Sequence, residues 1–232
     1  MNYVIVFLAT ILIVVIVYMI MTSMTSSTYI SKEIHMKDKP ADITASTLTR
    51  PDATRYAYNV WIYMDQPISG SDVKIFERLN DLGLFMNGST SVLSLKLYRR
   101  VNSSSPTSDT KTYQITNNFP LQKWVFITIS VDNAIVDMYL DGKLAKSITD
   151  TTGANGLRHI PDGTSSITFG VITGTYMTKF SRVTSPSDPQ TAWNLYMEGS
   201  GSKMGLSNIA NRYNVNLAIL KDNVMANTIP LW

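Results

Sequence analysis

The sequence predicts an all-β fold: an antiparallel β-sandwich of the jelly-roll kind, with one short helix near its C-terminal end and a single N-terminal transmembrane helix ahead of it. Three observations carry this expectation. Short apolar segments, about a dozen of them, recur at close spacing. Asn-Gly and Asp-Gly pairs punctuate them where tight turns are needed. The chain opens on a long uncharged apolar run.

That run extends from Tyr3 to Met21 without a charge, Gly or Pro. Tyr3, Val4, Ile5, Val6, Phe7 and Leu8 lead into Ile11, Leu12, Ile13, Val14, Val15, Ile16, Val17, Tyr18, Met19, Ile20 and Met21. As a helix it would measure about 28 Å, close to a hydrocarbon core of about 30 Å. Tyr3 and Tyr18 sit near its ends, where amphipathic rings favour the membrane interface. A cleaved signal peptide fits less well, because a basic flank and a small-residue cleavage site are both missing. Residues 1–21 are therefore expected to be a retained anchor with a lipid bilayer as partner. Lys32, Lys37 and Lys39 follow it and place the rest of the chain on the cytosolic side by the positive-inside rule.

Residues 22–54 are polar, with Pro40 and Pro51 as breakers. They read as a tether with one strand near 28–36. The sandwich is expected over 55–232. YAYNVWIYM (56–64) is apolar on both alternating faces, as in a strand covered on both sides. In SDVKIFERL, Val73, Ile75 and Leu79 are expected to share a face, and LGLFMN follows. Asn87-Gly88 then turns the chain into VLSLKLYRR, where Leu93, Leu95 and Leu97 face one way. Residues 101–109 read as a polar loop, followed by the strand TKTYQIT. WVFITISVD and AIVDMYL are separated by a tight turn at Asp132-Asn133, and Asp141-Gly142 joins AIVDMYL to KLAKSIT through a type I′ turn. A long loop, 150–164, precedes SSITFGV and TYMTKFSRV. Asp188 as N-cap, Pro189 at the first helical position and Gly199 as the stop delimit a helix. Trp193, Tyr196 and Met197 are expected on its packed face. YNVNLAIL and VMANTIPLW close the sheet count.

Composition excludes several functions. With no cysteine, thiol catalysis, disulfides and cysteine-ligated metals are ruled out. The net charge of +3, from 20 basic and 17 acidic residues, gives nucleic-acid binding little support. The three glutamates, Glu33, Glu77 and Glu198, are far apart in sequence, so no paired-carboxylate hydrolase motif is visible. His35 and His159 are the two histidines, too few and too scattered for a triad or a metal-hydrolase motif. The chain is expected not to be an enzyme, and no cofactor is implied. Asp132, Asp137, Asp150 and Asp162 are candidate calcium ligands, but they form no dense cluster, and the metal is left unassigned. Arg99, Arg100, Lys143 and Lys146 offer scattered positive charge. Asn87-Gly-Ser and Asn102-Ser-Ser match the N-glycosylation triplet.

The stretch LQKWVFITISVDNAIVDMYLDGKLAKSI resembles laminin-G-like, concanavalin A-like lectin/glucanase domains. In that signature a Trp opens a strand and a later strand ends in Tyr-x-Asp-Gly; Trp124, Tyr139, Asp141 and Gly142 stand in those places. TYMTKFSRVTSPSDPQTAWNLYMEG, with Asp188, Pro189 and Trp193, is similar to the family's late strand and closing helix. The resemblance implies a two-sheet jelly roll, here without the glucanase carboxylates. Membrane-anchored relatives of this kind look like minor capsid proteins of large icosahedral DNA viruses, linking an internal membrane to the protein shell. The resemblance thus implies a structural protein of a virion or host membrane, with capsid or membrane-associated proteins as partners. The alternative is a displayed glycan- or protein-binding module; a glycan is permitted by twelve Tyr and four Trp but is not indicated by any motif.

Overall fold

The computed structural model describes residues 7, 10–15, 26–68, 72–88, 91–102, 105–149, 161, 163–200, 216–221 and 224–230. Fourteen strands lie among them: β1 (Ser26–Ile30), β2 (Ile34–His35), β3 (Arg55–Met64), β4 (Val73–Arg78), β5 (Leu82–Asn87), β6 (Val92–Asn102), β7 (Ser105–Thr116), β8 (Trp124–Asp132), β9 (Ile135–Leu140), β10 (Lys143–Thr149), β11 (Ile167–Phe169), β12 (Thr175–Val183), β13 (Asn216–Lys221) and β14 (Val224–Pro230). Helix α1 (Pro189–Met197) follows β12. A seven-stranded antiparallel sheet runs β1-β12-β3-β8-β9-β10, with β2 also pairing to β12. A five-stranded sheet runs β11-β4-β5-β6-β7. The β13–β14 hairpin pairs with itself.

Alternation explains how the two sheets face each other. From β3, Tyr56, Tyr58, Val60, Ile62 and Met64 enter the core; from β8, Val125, Ile127, Ile129 and Val131 do so. The five-stranded sheet answers with Ile75, Leu82, Leu84, Met86, Leu93, Leu95 and Leu97. Each such side chain contributes about 1.5–3 kcal/mol when taken fully out of water. Phe76, Phe169 and Phe180 meet edge to face near the middle, at centroid distances of 5.0 and 5.1 Å. The register of β4 shifts between Lys74 and Phe76, so Ile75 and Arg78 turn inward while Leu79, expected beside Ile75, is exposed.

The hairpin turns follow their local chemistry. Asp141 (φ +49°) and Gly142 (φ +74°) both take the left-handed conformation that a type I′ turn requires. Asn133 (φ +54°) turns β8 into β9. The polar segment 101–109 is not the expected loop: β6 runs to Asn102 and β7 begins at Ser105. Ser and Thr are tolerated in this pair because main-chain ladder bonds, not apolar side chains, define a strand.

Residues 26–54 are not a free tether. β1 and β2 add to the edge at β12, Ile43 bridges Ile167 of β11, and Ile30, Met36, Ile43 and Leu48 join the core. Two buried arginines fasten the end of this segment. Arg182 Nη1 and Nη2 donate to the carbonyls of Thr49 and Arg50 at 2.6 and 3.2 Å. Arg78 Nη1 donates to the Pro51 carbonyl at 2.7 Å, and its Nε to that of Ser165 at 2.9 Å. Both are almost fully buried, as is Asp81, which stands 3.7 Å from Arg78 and accepts from the hydroxyls of Tyr56 and Tyr58. The Arg182 guanidinium lies over the Tyr56 ring, 4.8 Å from its centroid. Burial, and then the Asp81 charge, push the Tyr58 hydroxyl well above its ordinary pKa, so it stays a donor.

Of the expected anchor, Phe7 and residues 10–15 are described; all are helical, and Phe7, Ile11, Leu12, Ile13, Val14 and Val15 are exposed. The remainder of the run lies outside the described residues. Among the described residues no helix is long and apolar enough to cross a membrane.

Candidate functional site

The outer face of the seven-stranded sheet carries the residues that alternate with the core: Asn59, Trp61 and Tyr63 on β3 and Trp124, Phe126, Thr128 and Ser130 on β8. Exact cross-strand register sets four rings in one row. Trp124 is opposite Tyr63, Tyr63 opposite Tyr176, and Tyr176 opposite His35. Their centroids are 5.6, 6.1 and 4.5 Å apart, the last pair nearly parallel. All four rings are half-buried, so each keeps part of its surface open to solvent. His35 Nε2 is buried there without a hydrogen-bond partner among the described residues. Trp124 opens β8, as expected, and is one end of this open row.

The next row along the strands is closed by α1. Trp61 packs on Phe126 at 5.0 Å and stacks under Tyr196 of α1 at 5.7 Å. Asp188 caps the helix by accepting from the Thr191 amide at 2.6 Å, and that bond holds its carboxyl below the usual carboxylate range. Pro189 begins the helix, and Gly199 (φ +72°) ends it. The sheet-facing side is Ala192, Leu195 and Tyr196, rather than the expected Trp193, Tyr196 and Met197. Met197 is 65% and Trp193 39% exposed. Trp193 nevertheless rests on the β9–β10 turn, where a Cβ on Gly142 would come 3.0 Å from the Trp193 backbone. Asp141 ties that turn to β8: its carboxylate accepts from the Phe126 amide at 3.0 Å and from Lys123 Nζ at 2.6 Å. Tyr139 is buried, and loss of solvent raises its hydroxyl pKa. Asp141, Gly142, Asp188, Pro189 and Trp193 therefore join the β9–β10 turn, β8 and α1 into one packed unit.

Beside Trp61, a pocket of about 270 Å³ opens between β1, β12, β3 and the C-terminal end of α1. Asn59, Ser181, Lys179, Glu198, Thr28 and Ser31 give it polar walls. A bulge makes room for it: Lys179 and Phe180 of β12 fall between the pairs Thr178–Trp61 and Ser181–Asn59, and Lys179 has φ +50°. Lys179 Nζ then reaches the Gly199 carbonyl at 2.7 Å, tying the helix end to the sheet. Asn59 is buried, accepts from the Thr128 hydroxyl at 2.9 Å and turns its amide NH₂ toward Ser181 at 3.5 Å.

The other residues singled out from sequence are not brought to this face as a group. Asp132 is paired with Arg55 at 3.0 Å and Asp137 accepts from Ser147 at 2.5 Å, while Asp150 and Asp162 lie outside the described residues. No group of His, Asp or Glu fit to hold a metal occurs among the described residues. Glu77 accepts from Tyr98 at 2.5 Å and faces Lys74 and Lys96 on the five-stranded sheet, opposite in the sandwich to Glu198. Lys146 donates to the Gln114 carbonyl at 2.7 Å and so ties the β10 edge to β7. Asn87 donates to Asp72 at 2.9 Å. The aromatic row was hidden from sequence reasoning, because its four members come from four strands; the alternation of Trp61 and Tyr63 with core residues was its only trace.

Comparison with known proteins agrees with this architecture. The family profile described as the concanavalin A-like lectin/glucanases superfamily (Laminin_G_3) matches residues 37–180. No curated protein matches the chain. Among solved structures, an HCR/D mutant superposes with a TM-score of 0.51 at 11% identity, covering 75% of this chain and 47% of that one. The botulinum neurotoxin serotype G binding domain gives 0.49 at 13% identity, covering 76% and 47%. A structure of botulinum neurotoxin type C, whose cell entry depends on interaction with two ganglioside molecules, gives 0.44 at 20% identity, covering 62% and 36%. The chain spans less than half the length of each of these structures. At such identities the likeness concerns the fold alone.

Proposed function

The chain belongs to the concanavalin A-like lectin/glucanases superfamily, and we propose that it acts as a noncatalytic binding module that takes a saccharide on the outer face of its seven-stranded sheet. The half-open row His35–Tyr176–Tyr63–Trp124 carries this reading. Sugar rings present C–H faces that pack on aromatic surface, and rings already held by cross-strand neighbours lose little freedom on binding. The adjoining pocket supplies hydroxyl, amide and carboxylate groups at the distance of the next residue pair on β3, suited to sugar hydroxyls. Noncatalytic action is favoured because Glu77, engaged by Tyr98, lies on the five-stranded sheet, whereas Glu198 ends α1 beside the outer face of the seven-stranded one. The test is a glycan array followed by titration of any bound saccharide. Trp124→Ala and Tyr63→Ala should each weaken binding about tenfold or more, the loss of about 1.4 kcal/mol of stacking. Unchanged affinity in both variants would remove this face from the proposal.

A second reading concerns where the module is held. The uncharged run 3–21 supports attachment to a bilayer, from which the sandwich would link a membrane to a protein shell as a minor capsid component. The full chain should float with phosphatidylcholine vesicles and resist alkaline carbonate, whereas a chain lacking residues 1–21 should remain folded and stay behind. Full-length protein extracted by carbonate would overturn the anchor.

A further inference from the structure

Away from the aromatic face, one end of the sandwich holds a second cleft of about 270 Å³. Antiparallel pairing puts it there. Val183 at the end of β12 is opposite Ala57 near the start of β3, so the connections 50–55 and 184–186 leave the sheet side by side. The cleft is lined by Arg50, Ala53, Thr54, Arg55, Thr184, Ser185 and Pro186.

We propose that this cleft is a binding site for a small oxyanion, a phosphate or sulfate group. The donors have the right chemistry and several are uncommitted. Arg50 is exposed, and its guanidinium, like the hydroxyls of Thr184 and Ser185, makes no hydrogen bond or ion pair within the described residues. Arg55 is engaged by Asp132 through Nε and one Nη, at 3.0 and 3.3 Å, which leaves further N–H donors of its fork free to turn into the cleft. The lining contains two arginines and no carboxylate.

The cleft is also held in shape from behind. Arg50 has φ +48°, a left-handed conformation that a non-glycine residue adopts at a cost and keeps only where its surroundings impose it. Here they do: buried Arg182 grips the carbonyls of Thr49 and Arg50, buried Arg78 grips that of Pro51, and the Ala53 amide closes a turn on the Arg50 carbonyl at 3.0 Å. Arg50 is thereby presented on a preformed loop, which lowers the ordering cost of binding. The two buried guanidiniums outnumber Asp81, so a net positive charge sits behind the cleft wall, where salt screens it little.

The left-handed backbone at residue 50 makes the test clean. Glycine adopts that conformation freely, so Arg50→Gly removes the guanidinium without disturbing the loop or the carbonyl that Arg182 grips. The full chain in neutral detergent micelles is titrated with inorganic phosphate, with inorganic sulfate and with glycerol 1-phosphate, the headgroup portion of phosphatidic acid. Backbone amide shifts at Ala53, Thr184 and Ser185 are followed. Saturable shifts at these residues are expected, with affinity reduced about tenfold or more in Arg50→Gly and less in Arg50→Lys, which keeps the charge but loses the planar fork. The melting temperature of Arg50→Gly should not fall. Tighter binding of glycerol 1-phosphate than of inorganic phosphate assigns the group to a lipid; the reverse assigns it to a free ion. Absence of saturable shifts with all three probes, or equal affinity in wild type and Arg50→Gly, overturns the site. Neither result touches the saccharide reading, which rests on other residues.

Discussion

Asp81→Ala is expected to destabilise the sandwich by about 3–5 kcal/mol, the cost of stranding a buried charge partner. Among the described residues, Asp81 is the only carboxylate set against the buried pair Arg78 and Arg182 and their two tyrosines. It is fully buried, and so are the groups around it, so water cannot take its place. Removing it leaves two guanidiniums in a low-dielectric interior and takes the acceptor from the hydroxyls of Tyr56 and Tyr58. A domain of this size is held by about 5–15 kcal/mol in all, so the loss is a large share of the total. Urea unfolding of wild type, Asp81→Ala and Asp81→Asn measures it. Asp81→Asn keeps an acceptor but loses the charge, and should fall between the other two. A midpoint for Asp81→Ala within error of wild type would show that the arginines do not depend on it.

Gly170→Ala tests the opposite edge of the core and should cost about 3 kcal/mol. A Cβ at residue 170 would stand 1.7 Å from the Lys74 carbonyl oxygen, a backbone atom that cannot rotate aside. Gly170 follows β11, and its amide donates to the Ile75 carbonyl at 3.2 Å, next to the register shift in β4. Relief requires β11 to move away from β4, which would pull Ile167 and Phe169 out of the aromatic centre. Thermal unfolding of Gly170→Ala reads the effect. Gly142→Ala, where a Cβ meets the helix at 3.0 Å and the φ is also left-handed, is a second crowded glycine but lies outside the core. An unchanged melting temperature for Gly170→Ala would mean that β11 is not bound tightly to β4.

The strands from β3 to β12 were largely legible because their signals are local. β5, β8, β10 and β12 span the segments expected from alternation and turn residues, and helix α1 follows its N-cap, proline and terminal glycine. The segment 26–54 was not legible as part of the domain. Its core residues Ile30, Met36, Ile43 and Leu48 are single apolar positions in polar surroundings, spaced five to seven apart with no helical or strand period. β1 and β2 acquire meaning only beside β12, about 150 residues later. The buried arginines were hidden for a related reason, since a charge in a strand reads as solvent-facing unless its partners are known.

The amino-acid sequence alone determined the all-β class, most strand and turn positions, the capped helix, and an N-terminal run with the length and polarity of a membrane span. Those properties depend on side-chain periodicity and turn chemistry within a few residues. The tertiary structure decided which face of the sheet is open, which rings stand in one row, and which arginines are buried and which line a cleft. Those depend on strand pairing between residues far apart in the chain, and a shift of one residue in that register would send each of these side chains to the other face.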